Sequence, residues 1–78
     1  MGADRIRLFL NQHCRFVLRS GKEVFGVIWE IKSSDDTKYY FSSISDHKTY
    51  QQTRSLEDLQ SMMDVDINDV LLAERLVG

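Results

Sequence analysis

Four groups of residues in this 78-residue chain carry side-chain types that could do chemistry. Asp64, Asp66 and Asn68 alternate oxygen-bearing side chains as a calcium-binding loop does, and Leu71 stands at that loop's apolar eighth position. The loop also needs Gly at its sixth position and a bidentate Glu at its twelfth, where this chain has Asp69 and Arg75. An acidic connector is the better reading. Ser45, Asp46 and His47 are the residue types of a hydrolytic triad, but neighbours on a strand or turn do not form a nucleophile, base and orienter, and no Gly-x-Ser-x-Gly elbow is present. His13 beside Cys14 could be a reactive thiol pair, although strand alternation points Cys14 inward, where a thiol behaves as a small hydrophobe. Arg15, Arg19, Lys22, Tyr39 and Tyr40 could together hold nucleic-acid backbone and stack bases, as single-strand binders do.

With one cysteine and two histidines, the chain cannot close an intramolecular disulfide and offers no metal site of ordinary ligand count. We read no catalytic residues, no metal and no cofactor. The net charge of -2 divides unevenly. Through Lys32, six basic residues oppose three acidic ones, and from Ser33 onward four basic residues oppose nine acidic ones. The basic half could dock an anionic partner, or opposite halves could meet between subunits.

The elements that must position these residues follow from periodicity. Asp4 can cap a helix over about residues 4–11, with Ile6, Phe9, Leu10 and His13 at the spacing of one helical face. From Cys14 to Arg19 the period becomes two, which predicts a half-buried strand with Cys14, Phe16 and Leu18 inward. Ser20-Gly21-Lys22 supplies a hairpin turn, and Lys22 to Lys32 is a second strand apolar on both faces. Gly26 in its middle marks a bend or a close approach of backbone, which would let one strand cross a small barrel and bury both faces. Residues 33–36 are a loop and Lys38 to Ser43 a third strand. The polar residues 44–54 read as a turn, with a possible strand near Thr49 to Thr53. Ser55-Leu56-Glu57-Asp58 resembles a capping box ahead of Leu56, Leu59, Met62 and Met63, which predicts a second helix over 55–63. Val70 to Val77 reads as a final strand, although its composition also suits a helix.

The chain is thus expected to be one domain over 1–78, mainly β with some helix. At this length folding removes only about 60% of the unfolded surface from water, so nearly every strong hydrophobe must pack. No signal-peptide pattern opens the chain, and no apolar run approaches the roughly 20 residues of a membrane helix, which leads us to expect a soluble cytoplasmic protein.

The segment from Leu18 to Ile28, with Phe16 before it, resembles the first motif of the Sm-like family, Leu-x-x-Gly-x-x-apolar-x-Gly-x-apolar. The resemblance implies a small, strongly bent five-stranded barrel, Sm-like or Src-homology-3-like, with Gly21 and Gly26 as structural glycines and a short N-terminal helix. It also implies ring-like self-association and RNA binding. The family's RNA-contacting Asp and Asn would fall where this chain has Asp35-Asp36-Thr37-Lys38-Tyr39-Tyr40, without Asn, and its second motif has no counterpart. Our reading is therefore a non-enzymatic interaction module that binds a protein partner or self-associates; Phe25, Val27, Trp29 and Ile31 could be an exposed seam through which subunits pair, or else a wholly internal core with Trp29 as its main filler. The alternative is an RNA or single-stranded nucleic-acid binding protein using the basic hairpin and the tyrosine strand.

Overall fold

The structure is a computed structural model that describes residues 3–76. Five antiparallel strands lie in the order β4-β3-β2-β1-β5. They are β1 (Cys14–Leu18), β2 (Glu23–Lys32), β3 (Thr37–Ser42), β4 (Met63–Asp64) and β5 (Val70–Arg75). A single-turn helix α1 (Ala3–Ile6) precedes β1, a longer helix α2 (Ile44–Thr53) follows β3, and a 3-10 turn (Ile67–Asp69) leads into β5. The sheet is not closed: β4 and β5 are its two edges.

The first hairpin forms as its residues require. Cys14 and Phe16 are buried on one face, and the turn is held by the Gly21 amide donating to the Leu18 carbonyl at 2.8 Å. Gly21 has φ +90°, which a side chain disfavours. Gly26 is where β2 changes partner. Glu23–Gly26 pairs with β1, with Gly26 opposite Cys14, and Val27–Lys32 pairs with β3, with Val27 opposite Ser42. A Cβ on Gly26 would meet the Ser42 carbonyl oxygen and the Phe41 ring, so the sheet can turn this corner only with glycine.

The two faces of β2 are buried by different means. Ile28 joins the main core with Ile6, Cys14, Phe16, Ile67, Val70 and Ala73, and Phe41 and Tyr39 pack against that cluster. Val27 and Trp29 point the other way and are also buried. Helix α2 lies over that outer face, and Trp29 stacks against Tyr50 at 4.6 Å, Tyr40 at 5.6 Å and His47 at 5.9 Å between ring centroids. Phe25 is on the same face of the strand but ahead of Gly26, beyond the helix, and is 54% exposed. Phe25, Val27, Trp29 and Ile31 therefore share a face without forming an open seam, and Trp29, at 2% exposure, is core.

Four expectations change. The first helix stops at Ile6, because the next turn tightens: Leu8 and Phe9 donate to Arg5 and Ile6, and Asn11 takes φ 64°. Helix α2 occupies residues read as a turn, with the Ser43 hydroxyl accepting from the Asp46 amide as N-cap and Arg54 ending it at φ 58°. The helix expected over 55–63 is absent. Ser55 instead accepts from the Glu57 amide two residues on, a local turn that competes with helix, and Leu56 is exposed. The fourth strand is the short β4 rather than residues 49–53. The final strand is observed over Val70–Arg75; Val77 and the side chain of Asp4 lie outside the described residues.

Candidate functional site

The acidic alternation after β4 has a structural role. Asp66 caps the 3-10 turn, its Oδ1 accepting from the Asn68 amide at 2.9 Å, and Asp69 lies 3.5 Å from Arg19. Among the described residues no three His, Cys, Asp or Glu side chains come together in a way that could hold a metal ion.

Ser45, Asp46 and His47 sit in the first turns of α2, where successive side chains diverge around the helix. Asp46 turns to the following loop. Its Oδ2 accepts from the Ser61 hydroxyl and amide, each at 2.6 Å, and from the Gln60 amide at 2.9 Å. Those bonds, the Ser61 hydroxyl's first, hold the Asp46 carboxyl below the usual carboxylate range. The Ser43 amide donates to the same Ser61 hydroxyl oxygen at 2.9 Å, so loop 55–62 is latched to the start of α2. His47 points instead beneath the helix, and burial lowers its pKa. The three side chains do not converge.

Cys14 is buried and its thiol pKa is raised by burial, which keeps it protonated and unreactive. His13 contributes its carbonyl, which accepts from the Leu76 amide at 3.0 Å.

The cationic and aromatic candidates are dispersed. Arg15 donates to Glu23 at 2.8 Å, and Arg19 donates to the Asn68 carbonyl at 2.9 Å beside Asp69. Lys22 is exposed at the hairpin turn. Tyr39 packs toward the main core while Tyr40, its neighbour, stacks on Trp29 at the opposite face. Open clefts lie among the described residues. One of about 370 Å³ lies between Thr37–Tyr39 and residues 64–67, and one of about 380 Å³ is lined by Leu18, Arg19, Ser20 and Asp69. Lys38 and two aspartates line the first, and the Arg19–Asp69 ion pair spans the second.

What the structure does bring together is a sheet surface. Alternation across the paired rows Phe25–Arg15–Glu74 and Glu23–Val17–Leu72 puts these six residues on the outer face, away from Cys14, Phe16 and Ala73. Helix α2 packs against β2 and β3 on that outer face. Phe25 and Leu72 are exposed on it, at 54% and 45%. Leu71 is a bulged residue: Val17 pairs with Leu72 and Leu18 with Val70, so Leu71 has no opposite number and is 50% exposed. Sequence reasoning missed Leu71 and Leu72, because the strand alternation that buries Val70 would also bury Leu72 unless a bulge intervenes.

No family model matches this chain, and no curated protein or solved structure matches it significantly. Among the described residues no helix is long and apolar enough to cross a membrane.

Proposed function

We propose that this chain is a small non-enzymatic interaction module, an Sm-like or Src-homology-3-like bent barrel in architecture, that works by binding a protein partner or another copy of itself. The observation that carries the reading is the exposure of three apolar side chains, Phe25, Leu71 and Leu72, on the β5-β1-β2 part of the sheet, beside its edge at β5. A core this small leaves few hydrophobes to spare for water, and exposed apolar side chains interleaved with Arg15, Glu23 and Glu74 have the make-up of a mixed protein contact. The handover of β2 at Gly26 and the short helix before β1 support the Sm-like part of the proposal. The alternative, single-stranded nucleic-acid binding, draws less support. Arg15 and Arg19 already face carboxylates, and Tyr39 and Tyr40 present their rings to opposite faces.

Molar mass in solution, measured by light scattering at two protein concentrations and at low and high salt, tests the reading. Mass that rises with concentration and persists in high salt supports apolar self-association. A monomer that instead binds an unstructured RNA, losing affinity steeply as salt is raised, would replace this reading with the nucleic-acid one.

A further inference from the structure

We infer that α2 is an acid-released cover: His47 fastens it over Trp29, and a proton on the His47 imidazole lets the helix come away while the sheet beneath stays folded. The two sides of the sheet are separate packing units. The main core, built on Cys14, Phe16 and Ile28, packs on the inner face and takes no residue from α2. The helix packs instead on β2 and β3 of the outer face. His47 is its buried residue, with its ring centroid 5.9 Å from that of Trp29, and Tyr50 stacks on the same indole at 4.6 Å. Little else favours helix here. A ten-residue helix is marginal in water by itself, and Thr49 and Thr53 turn their hydroxyls back onto the Ser45 and Thr49 carbonyls, which weakens it slightly. Two rings on one indole hold α2 in place.

A cation under the helix would have no partner. On the face that α2 covers, β2 presents Val27, Trp29 and Ile31, and β3 presents Ser42, Tyr40 and Lys38 opposite them. Asp64 of β4 pairs with Tyr40, and loop 55–62 carries Glu57 and Asp58. Along α2 and its C-cap, Lys48 is exposed, Arg54 lies over the Tyr50 ring, and the Asp46 carboxylate is occupied by Ser61 and Gln60. Among the described residues none of these carboxylates forms an ion pair with His47. Positive charge is also disfavoured near the start of a helix.

The direction of the response follows. A free imidazole titrates near 6.5, and burial under α2 holds that of His47 lower. The cover is therefore fully in place above about pH 6.5 and weakens below it, the closed-to-open ratio falling by up to about tenfold per pH unit until the lower folded value is reached. Asp46 does not titrate in this range, because its bonds to Ser61 and Gln60 hold it below the usual carboxylate values.

Amide hydrogen exchange of the full chain between about pH 7.5 and pH 5.5, corrected for intrinsic rates, tests the inference. In the parent, α2 amides should be at least about tenfold less protected than those of the β1–β2 ladder at every pH, and their protection should fall by up to about tenfold per pH unit below roughly 6.5. Both sets weaken in acid, since complete unfolding also frees His47, and the gap between them marks release of the helix alone. His47→Phe keeps a ring against Trp29 and takes no proton, so its α2 protection should be nearly flat across this range, whereas His13→Gln should behave as the parent. The inference is overturned if α2 and ladder amides share one level of protection, if the parent's α2 amides do not respond to pH, or if His47→Phe keeps the parent's response. Where the phenylalanine variant does not fold, the first two outcomes, read on the parent, still decide.

Discussion

Replacing Gly26 with alanine tests how β2 is shared between its two neighbours. A Cβ at that position lies 2.7 Å from two atoms of the Phe41 ring and also meets the Ser42 carbonyl oxygen. Neither neighbour can give cheaply. Phe41 is set edge-on against Phe16, with ring centroids 6.3 Å apart and planes at 85°, and the Ser42 carbonyl belongs to the main chain of β3 opposite Val27. The strands must part instead. Overpacking of this kind costs about 1–3 kcal/mol, with a backbone obstacle placing it toward the upper end. The stiffer unfolded chain returns about 0.4–1 kcal/mol of that. A net loss of roughly 1.5–2 kcal/mol corresponds, at about 4–8 °C per kcal/mol for a chain this size, to a fall in Tm of roughly 6–16 °C. Gly26→Val should lose more. Far-UV circular dichroism melts, with urea midpoints as a check, measure this directly. Gly21→Ala is the control: nothing lies within 4 Å of its Cβ, so its loss comes only from the positive φ, and Gly21→Asn should recover part of it. A Gly26→Ala protein melting within ~2 °C of the parent would refute the corner.

Three further outcomes follow from side chains described above. Trp29→Ala should lose roughly 3–5 kcal/mol in urea unfolding, because Trp29 is 2% exposed and donates to the Ser42 hydroxyl at 3.0 Å; a loss below about 1 kcal/mol would mean that α2 does not cover it. The Asp46 carboxyl is held down in the folded state, so its contribution is complete above the unfolded value of about 3.9 and is lost as pH falls through the lower folded value. Asp46→Asn should therefore show a shallower decline of Tm between roughly pH 4 and pH 2 than the parent, and an unchanged decline would show that the Ser61 latch does not form in solution. The His47 pKa is also lowered, by burial, so stability falls as pH drops from about 6.5 toward the folded value. An imidazole titration midpoint at or above 6.5 in NMR would show that His47 is not under the helix.

The parts of this fold that were legible in the sequence are those in which period and backbone constraint agree. The alternation of Cys14, Phe16 and Leu18, the Gly21 turn and the mid-strand Gly26 each point to one local structure, and all three are present. Helix α2 was illegible because it is anchored by very little apolar surface. Its buried contact is His47 with the Tyr50 ring against a tryptophan, and Thr49 and Thr53 are poor helix formers. Ser43 followed three residues later by Asp46 was the available signal, but the leucines and methionines of 56–63 offered a stronger apparent one. Those residues form an irregular loop because Asp46 captures Gln60 and Ser61 across the chain, a contact that no local pattern encodes. At the candidate surface, Phe25 was visible as an exposed-face residue, whereas the exposure of Leu71 and Leu72 depends on the bulge.

The pairing of β1 with β5 bears on how the chain reaches this structure. The two hairpins that β2 makes, with β1 and with β3, are closed by short turns, whereas β1 meets β5 only about sixty positions downstream. By chain-entropy arguments, closing so long a loop costs roughly 2 kcal/mol more than closing a four-residue turn. The three-stranded meander of β1, β2 and β3 should therefore assemble early, with β5 arriving last and completing the burial of Phe16 and Cys14. Substitutions in β5 should then speed unfolding while leaving the refolding rate nearly unchanged, and those around Gly26 should slow refolding.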